Sequence, residues 1–483
     1  MQRELRALTV RRFVMLVLAV SVLAPLTYAA TEPEVAQIID RALADPALAH
    51  GLQGVVVKSL KDGRSVYEKN ADLVFIPASN FKLLVSATVL DRLGPRYRFK
   101  TFIYTTGNVA GDGTLKGDAV LVGRGDPVLS VDHLREMASK LKKLGIRAVE
   151  GNIVADDTWF DQVRLGWGWN WDDEPYYYSA QLSAICLNRN VVDVYIRPGA
   201  REGSKPTIRV SPATSYMTIQ NDAVTVKAGA EKTVSVDRLR GRNVIRVTGA
   251  IPLDYKATGA EEAITMEEPA LFAATVLKEM LERDGIQIKG RPVLGKKPDG
   301  AAIAASWESA PVSEILPLLN KPSDNLIAET LLKTLGAEFK DRGSSSTGAE
   351  VEREFLTKAG LDMTAISIID GSGLARMNYI SPKNLVTLLD YMHRHRNSEI
   401  YLHSLPIAGV DGTLRSRMKG TAAEGNCRAK TGYISRVRTL SGYVASKAGE
   451  PLAFSLMMNH HLCSSAEVNA IQDKIVIALA EMD

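Results

Sequence analysis

Three short motifs occur in a fixed order along this chain, and a long gap separates the first from the other two. They are Ser79-Asn80-Phe81-Lys82, Ser323-Asp324-Asn325 and Lys430-Thr431-Gly432. A length of 483 residues predicts two or three domains rather than one core. If the motifs meet at one site, the chain must leave that site after the first motif, form a large insertion, and return to the site with the second motif.

The first motif falls at the start of a predicted helix. Apolar residues follow Ser79 at helical spacing, and Gly94-Pro95 ends the run. Lys82 then lies one turn on, on the same face. A serine hydroxyl needs a base within hydrogen-bond reach, and burial near other cations lowers the pKa of a lysine enough for that role. We therefore expect Ser79 to be a nucleophile and Lys82 its base.

The third motif falls on a predicted strand, 428–434, that faces this helix. Lys430 and Thr431 offer a charge and a hydroxyl for a substrate carboxylate. Gly432 lets a substrate backbone approach the strand edge and pair with it. The N–H groups of Tyr433 and Ser79 are the expected oxyanion donors.

The second motif has two interpretations. Ser323-Asp324-Asn325 is a common composition for a helix N-cap. In a catalytic role, Ser323 relays a proton between Lys82 and the leaving amine. Asn325 then either orients Lys82 or binds the substrate amide.

The remaining pattern predicts an α/β (α+β) fold in which an antiparallel sheet is flanked by helices. We expect a discontinuous catalytic domain, 30–97 and 265–483, around a mostly β insertion, 98–264, made of two small nested domains. Helices are predicted at 37–48, 133–144, 269–284, 311–319, 323–335, 349–359, 382–393 and 465–481. Gly336 is expected to end the helix at 323–335. Strands are predicted at 54–57, 65–67, 428–434, 438–446 and 452–459.

The N-terminus has the pattern of a cleaved export signal. Arginines precede an apolar run, Phe13 to Leu26, and the small residues Thr27 and Ala29 occupy the −3 and −1 positions of a cleavage site. The run is broken by Pro25 and is short for a membrane span. We expect a signal peptide over 1–29 and a periplasmic protein. The net charge of +4 gives no support to nucleic-acid binding.

Other catalytic chemistries have little support. The histidines show no His-Glu-x-x-His pattern, and no Walker or dinucleotide loop stands out, so we expect no metal and no cofactor. Asp370-Gly371-Ser372-Gly373 lacks the leading glycine of a G-x-S-x-G elbow. Of the three cysteines, Cys427 and Cys463 could form a disulfide, or all three could be free thiols. Spacing alone does not decide between these alternatives.

The ordered trio is the signature of serine enzymes that acylate on D-alanyl peptides or β-lactams. With the long insertion, the chain resembles the class C low-molecular-mass penicillin-binding proteins, the penicillin-binding protein 4 type of D-alanyl-D-alanine carboxypeptidase/endopeptidase. Further matching stretches are 123–127, 370–376 and 409–414. The resemblance implies a serine β-lactamase/transpeptidase-like core, peptidoglycan peptides as substrates, β-lactam antibiotics as covalent inhibitors, and at most peripheral membrane contact.

The resemblance also implies a substrate clamp. The aromatic-rich stretch 167–180 is similar to one that reaches over the active site in relatives. There an acid and an aromatic contact the zwitterionic end of a diaminopimelate side chain. Asp173 and Tyr178 occupy those positions, and Arg376 is the expected partner of the carboxylate. The alternative is an ordinary surface salt bridge between Asp173 and Arg376.

Two other functions are possible for such a chain. A β-lactamase shares the acylation chemistry, but no Glu-x-x-x-Asn loop between the second and third motifs supports class A deacylation, and the insertion argues against it. An inactive peptidoglycan-binding scaffold would have lost the serine, a lysine or the asparagine, and all of these are present.

Overall fold

The computed structural model describes residues 30–483, and the predicted signal peptide lies outside them. The α-helices of the described part are α1 (Glu32–Leu43), α2 (Lys82–Arg92), α3 (Val131–Lys143), α4 (Pro269–Arg283), α5 (Val312–Asn320), α6 (Asn325–Lys340), α7 (Ser345–Lys358), α8 (Pro382–His393), α9 (Ser398–Ser404) and α10 (Ser465–Ala480). None of these helices is both long enough and apolar enough to cross a bilayer.

The strands follow the same chain order. The first pair is β1 (Leu52–Ser59) and β2 (Ser65–Lys69). The middle of the chain forms β3 (Lys100–Thr105), β4 (Thr114–Leu115), β5 (Ala119–Gly123), β6 (Ala148–Val149), β7 (Ile153–Asp156), β8 (Val191–Arg197), β9 (Thr207–Ser211), β10 (Thr218–Asn221), β11 (Val224–Val226), β12 (Ser235–Arg238), β13 (Val244–Thr248), β14 (Ala250–Pro252), β15 (Glu262–Thr265), β16 (Gln287–Ile288), β17 (Pro292–Leu294) and β18 (Ala302–Glu308). The last five are β19 (Ile366–Ser367), β20 (Tyr379–Ile380), β21 (Arg428–Ile434), β22 (Val437–Ala445) and β23 (Pro451–Asn459).

The catalytic part is built on a five-stranded antiparallel sheet in the order β2-β1-β23-β22-β21. Successive side chains of a strand point to opposite faces. Val56 therefore packs into the core shared with α2 and α5–α8, while Val55 and Val57 pack into the core shared with α1 and α10. Helices thus cover both faces of the sheet, as the sequence predicted.

The insertion contains a second five-stranded sheet in the order β17-β7-β5-β3-β18, on which α3 and α4 pack. Strands β8 to β15 form smaller sheets beside it. The apolar faces of these elements share one buried core that is separate from the two cores of the catalytic sheet.

The expected end of the insertion at residue 264 is wrong. Helix α4 packs on β7 and β17, and β18 pairs with β3 along Lys100–Thr105, so residues 269–308 belong to the sheets of the insertion. The chain returns to the catalytic part only after Glu308. Of the strands that follow α4, β16 and β17 are only two and three residues long, too short to show a period, and β18 pairs with β3, which is distant in sequence.

Two helix ends also differ from the prediction. Helix α1 starts at Glu32 and ends at Leu43, because Pro46 begins a separate 3-10 turn. Helix α6 runs through Gly336 to Lys340. A Cβ on Gly336 would lie 2.4 Å from Thr347 Oγ1 and 2.9 Å from the backbone N of Gly348. This glycine therefore permits close packing of α6 on α7 and does not end the helix.

Candidate active site

Ser79 lies in a 3-10 turn, Ala78–Phe81, that leads directly into α2. Lys82 is the first residue of that α-helix, so the regular helix begins three residues after the start expected at Ser79. The serine lines a cavity of about 450 Å³ between the catalytic sheet and the insertion. All three motifs reach this cavity or the groups directly behind it.

Lys82 is fully buried, and its ammonium has three hydrogen-bond acceptors. Nζ donates to Ser79 Oγ at 2.8 Å, to Asn325 Oδ1 at 2.6 Å and to the Ser372 carbonyl at 2.7 Å. An ammonium has three donors, so every proton is satisfied. When Lys82 is neutral, its two remaining N–H groups donate to Asn325 and Ser372, and its lone pair points at the Ser79 hydroxyl. This is the geometry of a general base.

Burial lowers the pKa of Lys82 to about 8, and the nearby carboxylates of Asp370, Glu329 and Asp324 partly oppose the shift. The main cause is therefore desolvation, and not the neighbouring cations that the sequence suggested. Burial also lowers the pKa of Lys430, and the charge of Lys82 lowers it further. A substantial fraction of Lys82 is then neutral near pH 8.

Two buried carboxylates hold the backbone that faces Lys82. Glu329 on α6 accepts from the N–H groups of Gly371 and Ser372, at 3.2 and 2.7 Å. Burial and the Asp370 charge raise the pKa of Glu329 to about 7. Asp370 accepts from the N–H groups of Gly373 and Ala375, at 2.8 and 2.7 Å. Together they fix the Ser372 carbonyl against Lys82.

The second motif both caps a helix and lines the cavity. Asp324 is the N-cap of α6 and accepts from the Ile327 N–H at 3.0 Å. Ser323, at a positive φ of 68°, lines the cavity. Its hydroxyl accepts from Lys430 Nζ at 2.8 Å, so it contacts Lys430 in place of the expected Lys82.

Asn325 takes the first of its two expected roles. Its Oδ1 holds Lys82, and its Nδ2 donates to the Tyr178 carbonyl at 2.7 Å. Both ends of the amide are therefore engaged within the protein. Asn325 also lines the cavity, so the alternative role of binding the substrate amide stays a prediction.

The third motif forms the opposite wall on β21. The Thr431 hydroxyl donates to Thr413 Oγ1 at 2.7 Å, and both residues line the cavity. A Cβ on Gly432 would lie 2.0 Å from Thr439 Oγ1 and 2.6 Å from the Pro77 carbonyl. Gly432 is thus needed to pack β21 against the segment that carries Ser79. This packing is a second reason for glycine here, and the expected approach of a substrate backbone stays a prediction.

The predicted clamp residues all line the same cavity. Asp173 accepts from the Tyr178 hydroxyl at 2.9 Å and from Asn170 Nδ2 at 3.1 Å. Arg376 Nη2 donates to the Ser435 carbonyl at 3.0 Å. No ion pair joins Asp173 to Arg376 in the part of the chain that is described. Tyr433 stands at the outer rim, 62% exposed, with Arg438 over its ring.

The residues missed from the sequence are those that act through the backbone or from behind the site. Ser372 contributes a carbonyl, and Glu329 and Asp370 hold its peptide. One signal was present: Glu329 is a charged residue within an apolar stretch of α6, four positions after Asn325. Cys186, Cys427 and Cys463 are all free thiols, and none of them lines the cavity.

A serine nucleophile on a buried lysine, flanked by S-x-N and K-T-G motifs beside a helix-covered antiparallel sheet, defines the class of penicillin-interacting serine enzymes. Residues 35–482 match the model of the D-Ala-D-Ala carboxypeptidase 3 (S13) family. The chain belongs to this family, which makes it a serine-type D-Ala-D-Ala carboxypeptidase, a hydrolase.

Similar proteins agree with this assignment. The chain is 39% identical over 462 residues to a D-alanyl-D-alanine carboxypeptidase of Actinomadura sp. (strain R39), a match covering 93% of this chain and 85% of the relative. It is 26% identical over 418 residues to D-alanyl-D-alanine carboxypeptidase DacB of Haemophilus influenzae, covering 86% of each. The crystal structure of penicillin binding protein 4 from H. influenzae matches with a TM-score of 0.79 at 24% identity, covering 90% of this chain and 97% of that one, which supports the fold.

Proposed function

We propose that this enzyme cleaves the terminal D-alanyl-D-alanine bond of peptidoglycan stem peptides, and also their cross-links, through an acyl-enzyme on Ser79. The observation that carries the proposal is the 2.8 Å contact between Ser79 Oγ and the buried, three-fold bonded Lys82. Penicillin binding follows from the same chemistry, because the strained β-lactam carbonyl is attacked by the same hydroxyl.

The reaction has two halves. Ser79 Oγ attacks the carbonyl carbon of the penultimate D-alanine while its proton passes to neutral Lys82. The C–N bond then breaks, and the leaving amine takes the proton of the Ser323 hydroxyl, which Lys430 Nζ replaces across 2.8 Å. The proton that Lys82 accepted passes through solvent to Lys430, so both lysines return to their starting states. Water hydrolyses the resulting ester and regenerates the serine. We expect Thr431, which lines the cavity, to bind the C-terminal carboxylate, and the protonated Lys430 buried behind it to attract that charge.

Substrate choice is assigned to the outer residues. We propose that Asp173 binds the ammonium group and Arg376 the carboxylate at the end of a diaminopimelate side chain, with Tyr178 orienting Asp173. The support is that both charged groups face the cavity and that neither neutralises the other. Asp173 accepts from two neutral side chains, and Arg376 donates to one backbone carbonyl. Both charged groups therefore keep hydrogen-bonding capacity for a ligand.

The site of action is proposed from the N-terminal sequence. The pattern of residues 1–29 favours export to the periplasm with cleavage after Ala29. N-terminal sequencing of the protein from an envelope fraction should give a start near Ala30. An intact Met1 in washed membranes would contradict this assignment.

The test of the activity combines two measurements on one preparation. The folded protein should release D-alanine from a stem pentapeptide, and benzylpenicillin should abolish the release while adding its mass to one peptide containing Ser79. Release of D-alanine without a Ser79 adduct would contradict the nucleophile. An adduct on Ser79 that is hydrolysed within seconds would favour a β-lactamase.

A further inference from the structure

The loop 166–179 of the insertion touches the catalytic apparatus as well as the cavity. Its Trp169 Nε1 donates to Asp370 Oδ2 at 3.0 Å. Its Tyr178 carbonyl accepts from Asn325 Nδ2 at 2.7 Å. Asn325 is one of the three acceptors of Lys82, and Asp370 holds the turn that carries another, the Ser372 carbonyl. The loop therefore reaches both supports of the catalytic lysine.

Trp169 is held for this contact by its own loop. The ring is partly buried and packs against an apolar cluster that includes Leu326 of α6. A Cβ on Gly166 would lie 2.3 Å from the indole, and Gly168 has a positive φ of 76°. Both positions thus need glycine for the chain to fold around the ring. Trp169 does not line the cavity, whereas its neighbour Asn170 does.

Asp370 is fully buried and has four donors: the N–H groups of Gly373 and Ala375, Asn378 Nδ2 and the indole N–H. Three of the four come from its own loop. The indole is the donor that the insertion supplies. Asp370 in turn holds the turn whose Ser372 carbonyl binds Lys82.

We propose that Trp169 is a positioning residue through which the insertion fixes Asp370, and with it the orientation and protonation of Lys82. The insertion then acts on the chemical step itself, in addition to any contact with substrate. This inference rests on the proposed acylation of Ser79, and it concerns a residue that touches neither the substrate nor the reacting atoms.

The charged groups around Lys82 give the direction of the effect. Asp370 comes from the 370–376 turn, Asp324 and Glu329 from α6, and Lys430 from β21. Removing the indole donor leaves the Asp370 charge less compensated, so Lys82 keeps its proton to higher pH. The rate of acylation should then need a higher pH to reach its maximum.

The test compares the pH profile of benzylpenicillin acylation for wild type, Trp169→Phe and Trp171→Phe. Trp171 is in the same loop and is 67% exposed, which makes it a matched control. In Trp169→Phe we expect the acidic limb to move up by about 0.5–1 pH unit, which lowers the first-order rate at pH 7 about threefold to tenfold. The pre-covalent dissociation constant and the rate at high pH should stay unchanged, as should the whole profile of Trp171→Phe.

A second variant covers the case in which Trp169→Phe does not fold. Benzothienylalanine at position 169 has sulfur in place of the N–H and keeps the shape of the ring, so it should show the same shift. An unshifted profile in either folded variant would overturn the proposal, as would a uniform loss at every pH. Absence of wild-type acylation would instead overturn the proposed function, so the two failures are distinguishable.

Discussion

The two walls of the cavity are built in opposite ways. On the inner wall Lys82 and Lys430 are fully buried, and each hydrogen-bonds to other groups of the protein. On the outer wall Asp173 and Arg376 are only partly buried and make bonds with neutral partners. The inner wall is arranged for chemistry before a substrate arrives, whereas the outer wall keeps charge in reserve for a ligand. Mutations in the two walls should therefore fail in different ways.

The largest effect is expected at the nucleophile. Ser79→Ala should lower carboxypeptidase turnover on the order of 10⁴-fold or more, because within residues 30–483 no other hydroxyl is bonded to Lys82. Turnover is measured by D-alanine release, with a thermal melt as the control for folding. Turnover within tenfold of wild type would show that another group attacks the substrate.

The two buried lysines should differ when each is replaced by arginine. Arginine stays protonated and cannot accept the proton of Ser79. We expect Lys82→Arg to lose acylation by about 10²- to 10⁴-fold, the range for a missing general base. Lys430→Arg serves as the matched variant and should retain part of the rate, since its charge remains. Equal, mild losses at both positions would mean that Lys82 is not the base.

A buried acid behind the inner wall should cost stability at neutral pH. Burial, and then the charge of Glu329, raise the pKa of Glu352 to about 8, and neither carboxyl oxygen has a hydrogen-bond partner within the described residues. Its folded-state pKa lies above the unfolded value of 4.5, so folding takes up a proton. The contribution of Glu352 to stability therefore falls as the pH rises from about 4.5 to 8.

Glu352→Gln should remove that pH dependence. At pH 7 the variant should gain on the order of 3 kcal/mol of unfolding free energy, and at pH 4.5 almost none. Urea unfolding at the two pH values measures both numbers. Glu350→Gln, on the exposed side of the same helix, is the control. An equal change at both pH values would show that the effect comes from packing and not from ionisation.

The outer wall should govern preference and leave acylation intact. An acid and a guanidinium that pair with a zwitterion contribute roughly 1.5–3 kcal/mol each through charged hydrogen bonds. Asp173→Ala and Arg376→Ala should each lower the kcat/KM preference for a diaminopimelate peptide over its lysine analogue by about tenfold to a hundredfold. Their acylation by penicillin should persist.

The neighbouring acid provides the control for this experiment. Asp172 is exposed and does not line the cavity, so Asp172→Ala should keep the wild-type preference. Loss of preference in Asp172→Ala would assign the ammonium contact to Asp172 in place of Asp173. An unchanged preference in all three variants would contradict the proposal that Asp173 and Arg376 bind the diaminopimelate side chain.

The inner wall was accessible from sequence because its residues lie in short contiguous motifs. The i+3 spacing of Ser79 and Lys82 and the strand carrying Lys430 are local patterns, and the structure brings these residues together. The supports of Lys82 were not accessible in this way. The Ser372 and Tyr178 carbonyls act through backbone atoms that every residue has, so no side-chain pattern marks them.

The same difference applies to the fold. Long periodic segments such as α8 and β21–β23 were placed within a few residues, because burial on one face imposes a period. The end of the insertion was misplaced because strands β16 and β17 are short and their partners are distant in sequence. The prediction at Gly336 was wrong because the sequence alone does not distinguish a glycine that ends a helix from one that permits close helix packing.

The most direct test of the inner wall is the pH dependence of the acylation rate in the wild-type enzyme. Benzylpenicillin at saturating concentration gives the first-order rate of Ser79 acylation from pH 6 to 10. If desolvated Lys82 is the base, the rate should rise with pH to a plateau with a midpoint near its lowered pKa of about 8. A rate that is flat over this range, or one that is still rising at pH 10 as for an ordinary lysine, would contradict the account.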